Sequence, residues 1–144
     1  MKSESLEKIR KVAAAEEEEL QTRLRRIAAG INELSESINI WKGHLVRVDT
    51  ELRRQLVTGI GGGQILLMLR QKESIRHSIA GMEWNIGELN RDFDNLAREL
   101  TEKRNRTAFI DGKITEAKRR MEQSRETRTE KDITELWAKR RKVG

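Results

Sequence analysis

Residues 58–63 read Thr58-Gly59-Ile60-Gly61-Gly62-Gly63, and these four glycines in five positions decide the fold. Glycine has no Cβ, so it enters left-handed backbone conformations cheaply and weakens any helix that runs through it. Upstream of this stretch, Leu20, Leu24, Ile27, Ile31, Leu34, Ile38, Trp41, Leu45, Val48 and Leu52 recur at alternating gaps of three and four. Downstream the same rhythm restarts with Ile65, Met68, Lys72, Ile75, Ile79, Met82, Ile86, Leu89, Phe93, Leu96 and Leu100. It continues through Lys103, Thr107, Ile110, Ile114, Ala117 and Met121. This is the a/d seam of a coiled coil. Two such seams joined by one short glycine loop predict an all-α fold: a long antiparallel two-helix coiled coil, or αα-hairpin. The expected boundaries within the single domain 1–144 are helix 1 over about 4–57, a glycine-rich tip at 58–63, and helix 2 over about 64–140.

In an antiparallel pair, facing residues have numbers of constant sum, and a turn centred on Ile60 sets that sum at 120. Leu52 then faces Met68, Val48 faces Lys72, Leu45 faces Ile75, Trp41 faces Ile79, Ile38 faces Met82 and Leu34 faces Ile86. The same rule pairs Glu17, the acidic break in the first seam, with Lys103, a basic break in the second. They are expected to form an interhelical ion pair that fixes register, since desolvation offsets much of its attraction. Met1 falls beside residue 119, so residues 122–144 form an overhang. At 1.5 Å per residue the first helix covers ~80 Å and the second reaches up to ~115 Å.

Composition agrees with long helices. The 144 residues contain no proline, which leaves the helical hydrogen-bond ladder unbroken, and few aromatics to fill a globular core. The net charge is +6, yet 30 basic side chains are interleaved with 24 acidic ones, which describes a solvated face rather than a nucleic-acid stripe. The absence of cysteine removes disulfides and thiolate metal sites. The start, Met1-Lys2-Ser3-Glu4, lacks the apolar segment of a secretory signal, and no apolar run approaches the ~20 residues of a membrane span.

Catalytic constellations are not found. Gly62-Gly63-Gln64 is similar to the GGQ loop of peptide-chain release factors, but a plain glycine turn explains it here. His44 and His77 stand apart and point outward, so neither a metal nor any other cofactor is expected. Trp84 falls at an outer f position with Arg70, His77, Arg91 and Arg98, either as a scattered surface aromatic or as a partner contact. The overhang gives the strongest signal. Ile133, Leu136 and Trp137 make an i, i+3, i+4 apolar patch that the shorter first helix does not reach. Arg119, Arg120, Arg125, Arg128, Lys131, Lys139, Arg140, Arg141 and Lys142 surround it. An uncovered amphipathic turn among arginines suits docking on another protein.

Taken together, the hairpin length, the tip Gly59-Ile60 followed by Gln64-Ile65-Leu66-Leu67-Met68-Leu69-Arg70-Gln71, and the basic segment Arg119 through Lys142 resemble the FliJ/YscO/HrpO family. These are stalk components of flagellar and type III secretion export machinery. The resemblance implies a fold similar to the paired terminal helices of the γ stalk in rotary F-type ATPases. It implies a non-catalytic coupling role in the bacterial cytoplasm, at the cytoplasmic face of the inner-membrane export apparatus. The partners it implies are a hexameric export ATPase at the open end, an export gate protein at the early part of helix 2, and export chaperones. In the family the gate contact uses apolar residues and a histidine. The comparable region here holds Gln71, Ile75, Ser78 and Met82, a departure from that pattern, with His77 and Trp84 nearby.

The expected molecule is a monomeric hairpin that meets the membrane only through its partners and does not bind nucleic acid. The rival readings are a generic coiled-coil scaffold or chaperone, a salt-sensitive nucleic-acid binder, and a peripheral membrane rod. The last is disfavoured because no basic amphipathic helix carries an apolar Trp/Phe/Leu face.

Overall fold

The structure, a computed structural model, describes residues 3–59 and 61–143, and the side chains of 3–59 and 61–141. The hairpin centre at Ile60, the placement of Met1 beside residue 119 and the side chain of Lys142 lie outside the described residues. Two helices account for the fold, α1 (Ser3–Thr58) and α2 (Gly62–Val143), and they pack against each other as an all-α helical hairpin.

The turn is tighter than the sequence suggests. Gly59 adopts φ +72° and its N–H donates to the Gln55 carbonyl at 3.0 Å, a left-handed glycine cap that ends a helix. The Thr58 hydroxyl donates back to the Arg54 carbonyl at 3.0 Å, so Thr58 belongs to α1 rather than to the loop. Gly62 and Gly63 likewise form the first turn of α2, where the Gln64 N–H donates to the Gly61 carbonyl at 3.2 Å. In a first turn no intrahelical carbonyl lies behind any residue, so glycine there sacrifices only chain entropy.

Close contacts divide the chain into two compact units. The first comprises residues 20–99. Its core is Ile38, Ile75 and Ile79, with Leu45, Val48, Met82 and Ile86 packed against them. Leu20 and Leu52 are also buried. Lys72 occupies a seam position but does not stay in the apolar seam. Its stem lies there while its ammonium reaches out to Asp49 at 2.6 Å, as long cationic side chains do. That hydrogen bond holds the Asp49 carboxyl below its ordinary range, against a smaller opposing effect of partial desolvation. Trp41 is too large for a seam formed by only two helices. It remains partly exposed beside Met68 and Gln71, its ring centroid 5.8 Å from that of His44 in an edge-on arrangement.

The second unit comprises residues 1–19 and 100–144. Leu6, Leu100 and Ile110 are its buried aliphatics, and Arg10, Glu17, Lys103 and Thr107 interrupt the seam with polar side chains. Arg10 donates to Asp111 at 2.8 Å, and the buried Thr107 hydroxyl donates to Glu17 at 2.5 Å. Lys103 pairs with Glu16, which corrects the Glu17–Lys103 ion pair expected from the sequence. Glu17 faces into the seam and is taken by Thr107. The flexible lysine stem carries its charge outward to the flanking carboxylate, where less desolvation is needed. This hydrogen bond from Lys103, with its positive charge, lowers the Glu16 pKa. The pairs Asp49–Lys72, Glu16–Lys103 and Arg10–Asp111 each lie within one of the expected numerical sum, so both units keep the derived register.

Candidate functional site

The second unit carries the candidate site. Ala117 is the last half-buried residue among the described side chains of α2, and Met121, one step further along the seam, is exposed. Every described side chain from Lys118 to Arg141 is exposed, yet α2 continues to Val143. The expected overhang is therefore a helix, over six turns long at 3.6 residues per turn. Along it the hydroxyls of Thr127, Thr129 and Thr134 turn back to the carbonyls of Gln123, Arg125 and Glu130 at 2.8–2.9 Å. Lys139, Arg140 and Arg141 lie near its C-terminus, where cations complement the helix dipole.

Ile133, Leu136 and Trp137 are 49%, 64% and 62% exposed. With Arg140 they line one shallow surface depression. The 3.6-residue period places Arg128, Lys131 and Lys139 away from this apolar face, on the other side of the helix. Arg119 and Arg125 are exposed, and Arg120 bridges to Glu116 at 2.7 Å. The arrangement supplies an apolar stripe with an indole and Arg140 on one face of a preformed helix, with further cations on its other side. Chemically it can bind an acidic surface containing an apolar recess.

The second predicted site, at the early part of α2, is only partly assembled. Ile75 is 4% exposed and Met82 packs against the same core, so both are removed from the contact surface. They are seam residues, and the helix period that buries them excludes them from a docking face. Ser78 is half-buried, while Gln71, His77 and Trp84 are exposed. Among the described residues no group of three or more histidine or carboxylate side chains is arranged to hold a metal.

Sequence reasoning missed two features of the first unit. Gln55 is buried, its amide nitrogen donating to Glu51 at 3.4 Å and its Oε1 without a partner. Only its heptad spacing from Leu52 signals this. Leu56, Val57, Leu66, Leu67 and Leu69 stand exposed beside the turn. The available signal was the lack of any acidic residue between Glu51 and Glu73.

Fold and site together define a class, the helical hairpin whose second helix continues as an unpaired, basic, amphipathic arm. No protein-family model matches the chain, and comparison with curated proteins and with solved structures finds no match.

Proposed function

We propose that this protein is a non-catalytic coupling element of a type III protein export apparatus. The overhang of α2 docks on a hexameric export ATPase, and the exposed face around Gln71, His77 and Trp84 is available to an export gate protein or to chaperones. The observation that carries this reading is the uncovered Ile133–Leu136–Trp137 face on a basic helix. The resemblance of hairpin, tip and basic segment to export stalk proteins supports it.

The mechanism is one of differential binding. A stiff helix engaging a ring biases the nucleotide cycle only if it binds some subunit states more tightly than others. The indole and leucine supply grip by leaving water. The arginines steer the encounter with acidic loops and weaken as salt screens them. Where a Trp is an interface hot spot, its truncation to Ala costs about 2 kcal/mol or more of binding.

The test is hydrolysis by the cognate ATPase with and without this protein. The wild type is expected to stimulate, and the double variant Leu136→Ala/Trp137→Ala is expected to lose stimulation with unchanged helix content. Undiminished stimulation by the variant removes the assignment. No binding of either form leaves a scaffold without an ATPase partner.

A further inference from the structure

The turn end of the first unit has a composition unlike the rest of the chain. Between Glu51 and Glu73 there is no acidic residue, while Arg53, Arg54, Arg70 and Lys72 are basic. In the same stretch Val57 is 88% exposed, and Leu56, Leu66, Leu67 and Leu69 are 44–65% exposed. Scattered exposed aliphatics are ordinary, but five gathered at one hairpin end form a patch.

Their heptad positions decide what can cover them. Leu56 and Val57 follow the seam residue Gln55 and take positions e and f. Leu66, Leu67 and Leu69 take b, c and e relative to Ile65 and Met68. At 100° per residue, b and c lie on opposite flanks of a helix and f points directly away from the seam. The side chains therefore radiate around the tip instead of sharing one face. A protein groove covers one face of a helix and leaves the others in water. End-on insertion into a lipid interface covers all of them together.

Depth and charge agree with insertion. Leu69 lies seven residues into α2, so the apolar cap is about 10 Å deep. Interfacial segments bury their apolar parts by about 5–10 Å. Arg53 and Arg70 are exposed at the base of this cap, where guanidinium groups would meet the phosphates of a lipid surface entered tip first. Arg54 is engaged by Glu51 at 2.5 Å and Lys72 by Asp49. The turn's own backbone sets the limit of penetration, because open carbonyl and amide groups are not tolerated in hydrocarbon. Among the described residues no helix is long and apolar enough to cross a membrane.

We propose that the hairpin tip seats end-on in the interface of an anionic lipid surface, with the five aliphatic side chains among the headgroups and uppermost acyl carbons and Arg53 and Arg70 on the phosphates. This departs from the expectation that the membrane is met only through partners. It stands independently of the ATPase reading, which concerns the other unit.

The chain has no cysteine, so single cysteines at Val57, Leu67 and the distant exposed Asn90 accept an environment-sensitive fluorophore. With vesicles of phosphatidylcholine and phosphatidylglycerol, the probes at 57 and 67 should shift to the blue and be quenched by spin-labelled lipid, while the probe at 90 does not. Leu66→Ser/Leu67→Ser should weaken vesicle partitioning about tenfold with helix content unchanged. Phosphatidylcholine alone should bind far less. Three results overturn the proposal: probes at 57 and 67 that remain in water on vesicle-bound protein, undiminished partitioning of the serine variant, or equal binding to both lipid mixtures. The first two assign the lipid contact to the basic overhang and leave the tip to a protein partner.

Discussion

Replacing Ile75 and, separately, Ile133 by alanine distinguishes a covered helix face from an open one. Ile75 is 4% exposed within the Ile38–Ile75–Ile79 cluster, and Leu45, Val48, Met82 and Ile86 pack around that cluster. Ile→Ala deletes three carbons, and at about 0.8 kcal/mol each the lost transfer free energy is about 2.4 kcal/mol. A residual cavity adds to this, but a seam between two helices has no further layer to hold the gap open, so neighbours and solvent close on it. The expected loss is about 2.5–3.5 kcal/mol, in the lower half of the range for such truncations. Ile133 is 49% exposed and faces no second helix, so its truncation should cost about 0.5 kcal/mol or less. Urea unfolding followed by far-UV circular dichroism measures both. If Ile133→Ala destabilises as much as Ile75→Ala, or if its effect varies with protein concentration, the overhang is already covered and the docking argument fails.

Three further outcomes follow from the same geometry. Gly59→Ala should destabilise by about 1–2 kcal/mol, because an L side chain is strained at φ +72°, whereas Gly63→Ala should be neutral or stabilising; thermal unfolding compares them. A double-mutant cycle should give a larger coupling for Lys103 with Glu16 than for Lys103 with Glu17, and equal couplings would contradict the observed pairing. Stability should also fall in acid. Glu16 and Asp49 have folded pKa values below their unfolded ones, chiefly through hydrogen bonds from Lys103 and Lys72, so the folded state binds fewer protons than the unfolded one. Their contribution is complete above the unfolded values of about 4 and disappears as pH falls through the lower folded values. Urea midpoints across that range should drop, and the drop should shrink in high salt.

Much of the hairpin is legible in the residues, because a two-helix seam imposes one period and the glycine run interrupts it once. Burial follows that period even at Lys72, Lys103 and Thr107, where polarity alone suggests the surface. The seam upstream of Leu20 was harder to see. Leu6 and Ala13 continue the spacing, but Arg10 and Glu17 occupy the positions between them. The Glu17–Lys103 error has a related cause. Register fixes which Cα atoms face each other, while a lysine stem selects among carboxylates one residue apart by desolvation cost, which spacing does not encode. Ile75 and Met82 fall in the contact region that the resemblance implies, although their own heptad positions turn them to the seam. The overhang is legible because the seam spacing stops at Met121, before the separate apolar pattern around Trp137. The exposed tip is not, because its aliphatic residues follow no single helical face and lie among the seam residues Ile65 and Met68.

The most direct test of the account is a photo-activated cross-linking amino acid placed at position 137 of the full chain in its source cell, with position 90 as the control. The account predicts a product from position 137 that contains a ring-forming, nucleotide-hydrolysing ATPase, and no such product from position 90. A product from 137 containing only a second copy of this chain, or none at all, would contradict it.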